Sequence, residues 1–304
     1  MRLSTSTNIL FERNKKEHIP QETSIRLCAE AGYRVMDFCF HDLTTYDSPF
    51  LGNRWEHYMD SIRNRAAECG IVFSQSHGIL YDFCNVDEDH NTKRRLMERC
   101  VLGAKMLGIP WLVIHPYTDF NSPTVVKTSK EKNIDYISRL GEFADRHGVG
   151  IALENMWDLG IAPLRRYGAN GEELVDLVDS IGGIGICWDV EHASIMRQNQ
   201  TQAITLMGSR LKCTHISDQT GLDNIHILPC LGVTDWDEVM QALARISYTG
   251  DFTFETHGFL GRMPMELVPE SLKYSVSVGN YLVRKFEHYG SVFARDSVCE
   301  QTQL

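Results

Sequence analysis

The runs GIALENMW (150–157), GIGICWDVEH (183–192), LKCTHISD (211–218) and DFTFETHG (251–258) share one construction: a short apolar stretch that stops at a carboxylate or an imidazole. The stopping side chains are Glu154, Asp189, His215 and Glu255. Runs that stay apolar read as strands buried on both faces, as in a parallel sheet. Helix-like segments separate them. Towards the N-terminus the alternation continues, with strands expected at 3–9, 34–40, 71–77 and 111–116 and helices at 20–31, 53–69, 88–107 and 124–147. The remaining helices are expected at 171–181, 195–207, 235–246 and 266–287. Pro20 at the head of the first helix, and Gly32, Gly70, Gly108 and Gly148 just past the ends of the first four, are the usual boundary residues. Eight strand–helix pairs predict an α/β chain folded as a (β/α)8 TIM barrel. An open doubly wound sheet is the weaker choice, because no GxGxxG turn follows the first strand.

The chain has 304 residues, 43% of them hydrophobic, and no Pro/Gly/Ser-rich linker divides it. One barrel over residues 1–290 is expected, followed by a polar, irregular or interface-forming tail at 291–304. The net charge of -10 disfavours nucleic acid and anionic membrane as partners. No apolar run reaches the roughly 18 residues that span a bilayer. The start, MRLSTSTNIL, lacks the apolar core of a signal peptide. Nine scattered cysteines form no CxxC pair, which fits reduced thiols and a cytoplasmic location.

Barrel enzymes carry their active sites at the C-terminal ends of the strands. Those ends hold His77, His115, Glu154, Asp189, His215 and Glu255 on strands three to eight, and strand two carries Asp37. The loops add His192 and His226. Asp and Glu number 40 and His 12, so six successive hits by chance are on the order of one in a thousand against ordinary composition. Carboxylates with one or two imidazoles suit Mn, Mg, Zn or Co, and the missing thiolate argues against a structural zinc. Glu154, Asp189, His215 and Glu255 make one ligand shell. His77, His115, His192 and His226 exceed it, and either hold further metal or touch substrate oxygens. Trp111, Trp157 and Trp188 are expected to border the site.

The segments SHG (76–78), VIHP (113–116), ALEN (152–155), CWDVEHA (187–193), THISD (214–218) and FTFET (252–256) carry a resemblance. Over most of residues 1–290 the chain resembles the xylose isomerase-like barrel superfamily, which includes sugar-phosphate isomerases, ketose 3-epimerases, inosose dehydratases and endonuclease IV. The ketose-epimerase branch implies one divalent metal held by Glu154, Asp189, His215 and Glu255. It implies that Glu154 and Glu255 also move protons and that His192 meets a substrate oxygen. His77, His115 and Trp157 are further expected substrate contacts, with Trp157 stacking on a sugar face. The implied activity is a metal-dependent sugar or sugar-phosphate isomerase/epimerase that works on a small carbohydrate by proton transfer through an enediolate. One alternative is an endonuclease IV-like multinuclear phosphodiesterase with two or three zinc ions, drawing on His77, His115, His192 and His226. Another is a dehydratase of a polyol-derived ketone. A homo-oligomer is compatible with all three. The chain departs from these patterns in places. HISDQTGLDNIH (215–226) lacks the Arg that epimerases offer after the strand-seven His, Asn224 stands where the endonuclease branch has a third-metal Asp, and residues 229–232 read PCLG.

Overall fold

Eight short strands lie side by side in one parallel sheet: β1 (Leu3–Ser6), β2 (Val35–Cys39), β3 (Val72–His77), β4 (Trp111–Ile114), β5 (Gly150–Glu154), β6 (Gly185–Asp189), β7 (Leu211–His215) and β8 (Phe252–Phe254). This computed structural model describes residues 1–10, 13, 18–158, 165–221 and 223–301. Hydrogen-bonded neighbours run β7-β6-β5-β4-β3-β2-β1-β8. The seam between β7 and β8 closes through a parallel bridge of Ile216 with Phe254. There the Ile216 N–H donates to Thr253 O at 2.8 Å and the Glu255 N–H to Ile216 O at 3.0 Å. The result is the expected (β/α)8 barrel.

The helices follow the strands in order: α1 (Gln21–Ala31), α2 (Trp55–Glu68), α3 (His90–Leu107), α4 (Val125–Asp145), α5 (Gly171–Ile181), α6 (Val190–Ile195), α7 (Gln200–Met207), α8 (Trp236–Arg245), α9 (His257–Leu260) and α10 (Val268–Gln301). Three elements differ from expectation by more than two residues. The first strand stops at Ser6 and gives way to a 3-10 turn over Thr7–Leu10. There the Ser6 hydroxyl accepts the Asn8 N–H at 3.3 Å, a local bond that competes with the ladder. The helix expected at 195–207 is two helices. Asp189 caps α6 directly at the strand end and Asn199 caps α7, with Arg197 at φ 54 turning the chain between them. The last helix continues to Gln301 instead of stopping at 287. Nothing in 288–301 except Gly290 opposes a helix, so polarity alone was a poor reason to expect irregular chain. Residues 302–304 of that tail lie outside the described residues.

Strand alternation positions the site. Leu112, Ile114, Ile151, Leu153, Ile186 and Trp188 belong to the large core packed between sheet and helices. Their neighbours Val113, Ala152, Cys187 and Cys213 form a separate small cluster, backed by Trp111. One pleat further along the same face come His115, Glu154, Asp189 and His215, because residues two apart in a strand point the same way. Small side chains in the lower layer leave room for long polar ones above. Trp111 opens β4, so it lies at the opposite end of the barrel from the ligand-type residues. Its ring packs on Gly150, where a Cβ would come within 2.4 Å of it. Trp188 is buried in the outer core with its Nε1–H on Gln200 Oε1 at 2.8 Å. Of the three tryptophans, only Trp157 reaches the pocket.

Candidate active site

The strand ends open into a cavity of about 610 Å3. At its floor Glu154, Asp189, His215 and Glu255 bring one ligand-type atom each within 4.8 Å of one another. His215 Nδ1 lies 3.0 Å from Glu154 Oε2 and 3.4 Å from Glu255 Oε2. Three of these buried atoms, Glu154 Oε2, Asp189 Oδ2 and His215 Nδ1, have no hydrogen-bond partner. Buried polar atoms are nearly always paired. Side chains that converge in this way could hold a cation, and the mixed carboxylate–imidazole donor set fits a divalent one.

Neighbouring elements hold these side chains in place. Asp189 divides its two oxygens: Oδ1 caps α6 by accepting the His192 N–H at 2.8 Å, and Oδ2 is left for the cluster. Asp37 lies behind His215, with Oδ2 3.4 Å from His215 Nε2. Gln75 fixes that carboxylate from Nε2 at 2.9 Å and receives the Thr253 hydroxyl on Oε1 at 3.2 Å. Asn8, from the turn after β1, donates from Nδ2 to Glu255 Oε1 at 2.9 Å.

The charges in this space are strongly interdependent. Burial opposes ionisation of Glu154, but His215 and His115 outweigh it and hold its carboxyl well below the usual range. Glu255 behaves likewise: burial raises it, His215 and His226 outweigh that, and it falls to about 2. Asp189 goes the other way, driven well up by burial and by the nearby Glu154, Glu191 and Glu255 carboxylates.

His77 and His115 stand beside this cluster. His77 Nδ1–H donates to Gly78 O at 2.7 Å, which leaves Nε2 facing His115 Nε2 at 3.2 Å. Both Nε2 atoms lie 3.4 Å from Glu154 Oε2. Burial disfavours a charged His77, but Glu154 outweighs it and lifts the imidazole to about 9. His192 is the opposite case: burial outweighs Glu154 and pushes it down to about 3. Its Nδ1–H donates to Asn155 O at 2.8 Å, so Nε2 is an acceptor.

His226 comes from the loop before α8 with φ 47. Glu191 pins this loop by accepting the backbone N–H groups of Ile225 at 2.6 Å and His226 at 3.1 Å, together with the Ser217 hydroxyl. His226 Nδ1 donates to Glu255 O at 3.2 Å. With its amide oriented to suit its neighbours, Asn224 accepts from His226 Nε2 at 3.0 Å and from Trp157 Nε1 at 3.1 Å. Both His226 nitrogens are therefore engaged. Trp157 lies in the pocket wall beneath the Arg166 guanidinium, 5.7 Å from the ring centre.

The structure also brings in residues that the strand ends did not indicate. Asn8, His41, Asp42 and His257 line the cavity from turns after β1, β2 and β8. Burial raises Asp42 to about 7 despite the Cys39 thiol, which donates to it at 3.2 Å. His257 lies against His226 with ring centres 4.2 Å apart and the planes tilted by 32°. It opens α9, beyond the end of β8, so strand alternation does not reach it.

A family model described as xylose isomerase-like TIM barrel matches residues 25–277. The chain belongs to this family. Among curated relatives, D-psicose 3-epimerase of Enterocloster bolteae is 27% identical over 213 residues, covering 64% of each chain. An uncharacterized protein of Methanocaldococcus jannaschii is 27% identical over 175 residues, covering 53% of this chain and 57% of its own. The chain spans less than two thirds of the length of these curated relatives. Solved structures match over more of their length. A D-tagatose 3-epimerase-like protein shares 20% identity at a TM-score of 0.69, over 93% of this chain and 100% of its own. A D-psicose 3-epimerase solved in the presence of D-fructose shares 16% at 0.71, over 93% and 99%. These likenesses establish the shared fold. Among the described residues no helix is long and apolar enough to cross a membrane.

Proposed function

We propose that the protein is a divalent-metal-dependent isomerase or epimerase of a sugar or sugar phosphate, with residues 1–290 as one catalytic barrel. The observation that carries this reading is the buried quartet Glu154, Asp189, His215 and Glu255, with three unpaired atoms turned on one another at the cavity floor. Glu154, Asp189, His215 and Glu255 would hold a Mn, Mg, Zn or Co ion, which would supply Lewis acidity and so acidify a C–H bond beside a substrate carbonyl. One of the two glutamates takes that proton and leaves an enediolate. The other returns a proton, to the opposite face for epimerisation or to the adjacent carbon for isomerisation. Neutral His192 accepts a substrate hydroxyl on Nε2. His77 and His115 contact further oxygens, and Trp157 forms the wall against a sugar face. The similarity to D-psicose 3-epimerase supports a ketose as substrate.

The test is solvent exchange. With Mn2+ in D2O, the protein is expected to incorporate deuterium into one of D-fructose, D-psicose or D-tagatose, as followed by NMR. Glu154→Gln and Glu255→Gln should each lower that exchange by about 10^2- to 10^4-fold. Exchange retained in either variant overturns the assignment.

One observation favours a second reading. His77 Nε2, His115 Nε2 and Glu154 Oε2 form a triangle with edges of 3.2, 3.4 and 3.4 Å. Zinc–nitrogen bonds of about 2.0–2.1 Å in tetrahedral geometry place ligand atoms about 3.3–3.4 Å apart. A second ion sharing Glu154 would suit a multinuclear phosphodiesterase. A third ion is disfavoured, because His226 has no free nitrogen and Asn224 is a poor ligand. Metal analysis separates the readings: about one ion per chain supports the isomerase, and two support the hydrolase.

A further inference from the structure

Arg166 brings to the cavity wall a positive charge that no carboxylate among the described residues pairs with. The residue is exposed, and its guanidinium lies over the Trp157 ring at 5.7 Å from the centre. Its backbone is anchored on both sides. The Arg166 N–H donates to Asp158 Oδ2 at 2.8 Å, and the following N–H, of Tyr167, donates to Thr118 Oγ1 at 2.7 Å. The preceding stretch LGIAPL (159–164) carries no acidic side chain that could balance the guanidinium. The charges nearby are committed elsewhere. Arg165 pairs with Glu173, and Lys93 with Asp87. Asp82 accepts the backbone N–H groups of Cys84 at 3.0 Å and Asn85 at 3.1 Å, and Asn85 Nδ2 at 2.9 Å.

We propose that Arg166 binds an anionic group of the substrate, a phosphate ester or a carboxylate, at the end remote from the exchanging carbon. The placement rests on the isomerase reading, which puts the reacting carbonyl at the buried quartet. Burial then orders the cavity. Glu154, Asp189, His215 and Glu255 lie at its floor and are buried, whereas Arg166 is exposed. Trp157 joins the two levels, with its ring centre 6.2 Å from that of buried His192. A substrate whose carbonyl sits at the floor presents its other end at the level of Arg166. The chemical class follows from the donor. A guanidinium offers a planar fork of N–H groups that fits two oxygens of one carboxylate or phosphate. A neutral hydroxyl is served by an amide or another hydroxyl, and leaves the charge unbalanced. The Trp157 face attracts the cation but carries no net counter-charge. No bond forms or breaks at this end of the substrate, so Arg166 determines specificity and takes no part in the proton transfer.

Three probes share one carbon chain and differ only at C6: D-fructose 6-phosphate, D-fructuronate and D-fructose. With Mn2+-loaded protein, one of the two anions should show a KM for deuterium exchange about tenfold or more below that of D-fructose. Which anion it is tells phosphate from carboxylate. Arg166→Met keeps an apolar stem and removes the charge. It should raise KM for the preferred anion about 10- to 100-fold relative to KM for D-fructose. The loss should fall on KM rather than kcat, because the contact is the same in the ground and transition states. Arg166→Lys keeps the charge without the fork, and should recover only part of the preference. Arg166→Gln replaces Arg166→Met if a melting curve shows that the latter does not fold. Calorimetric titration with the same three compounds reads affinity without turnover. D-fructose binding as tightly as both anions overturns the proposal, and so does an equal loss for D-fructose and the anion in Arg166→Met. Should none of the three exchange, the isomerase reading fails by itself. The titration then decides the anion site: binding about tenfold weaker in Arg166→Met upholds it, and unchanged or absent binding ends it.

Discussion

Asp37 shows how one residue acts through another. Its carboxylate meets His215 Nε2 at 3.4 Å and is tied down by Gln75 at 2.9 Å. A carboxylate behind a metal-binding imidazole selects the tautomer, here Nε2–H towards Asp37 with the Nδ1 lone pair towards the cluster. An amide at this position can donate to Nε2 and invert that choice. Asp37→Asn is therefore expected to weaken Mn2+ binding by about 10- to 100-fold, read by calorimetric titration of the chelated protein. An unchanged Kd would remove Asp37 from the site. The position of Asp37 was legible in the sequence and its role was not. The partners Gln75 and His215 come from β3 and β7, and strand spacing says nothing about which side chains meet across a barrel. The ligand-type residues were legible because each ends an apolar run, so alternation alone puts them above the inner core layer. Asn8 and Asp42 sit in 3-10 turns and His257 opens a four-residue helix, all too short for a period to mark a face.

At the scale of elements, the junction of β6 and α6 does two things with one side chain. Asp189 ends the strand, caps the helix through Oδ1, and turns Oδ2 into the cluster. The sequence offered the strand and the carboxylate, but the helix expected nearby began at 195. A six-residue helix begun by a strand-end cap leaves too short a pattern to read. The double use can be separated, because Asn caps helices about as well as Asp and carries no charge to bury. Asp189→Asn is expected to melt, metal-free, at or above the wild-type temperature, as is common when a residue kept for function is replaced. Its Mn2+ affinity should fall at least about tenfold. Calorimetry with and without Mn2+ reads both, and a metal-free variant that melts well below wild type would show that Asp189 serves the fold first. The loop between β7 and α8 was equally hidden. Its course depends on Glu191 and on Asp218, which accepts the backbone N–H groups of Cys230, Gly232 and Thr234. It also depends on Gly258, where a Cβ would come within 1.8 Å of Ile225 O. These are contacts between distant parts of the chain.

For the molecule as a whole, the cavity charges link cation binding to pH and to stability. Burial works against a charged His77, but Glu154 raises it to about 9, above the ordinary value of 6.5. A group raised on folding contributes stability that is fully present below its unfolded value and is lost as pH climbs through its folded one. For His77 that window runs from about 6.5 to about 9, and the shift corresponds to something on the order of 3 kcal/mol. His215, raised well above its ordinary value although burial opposes it, and Asp189, raised by burial and its neighbours, act in the same direction. Glu255, held at about 2, loses its contribution only in strong acid and leaves this window alone. The metal-free protein should therefore lose stability as pH rises from 6.5 to 8.5. A cation binds the deprotonated ligands and displaces these protons, so its affinity rises over the same range. The two trends add. The difference in melting temperature between Mn2+-loaded and chelated protein is expected to widen steadily from pH 6.5 to 8.5 in scanning calorimetry, with protons released on titration at pH 7. A difference that stays flat or narrows would mean that the imidazoles and carboxylates at the barrel mouth hold no exchangeable protons where the cation binds.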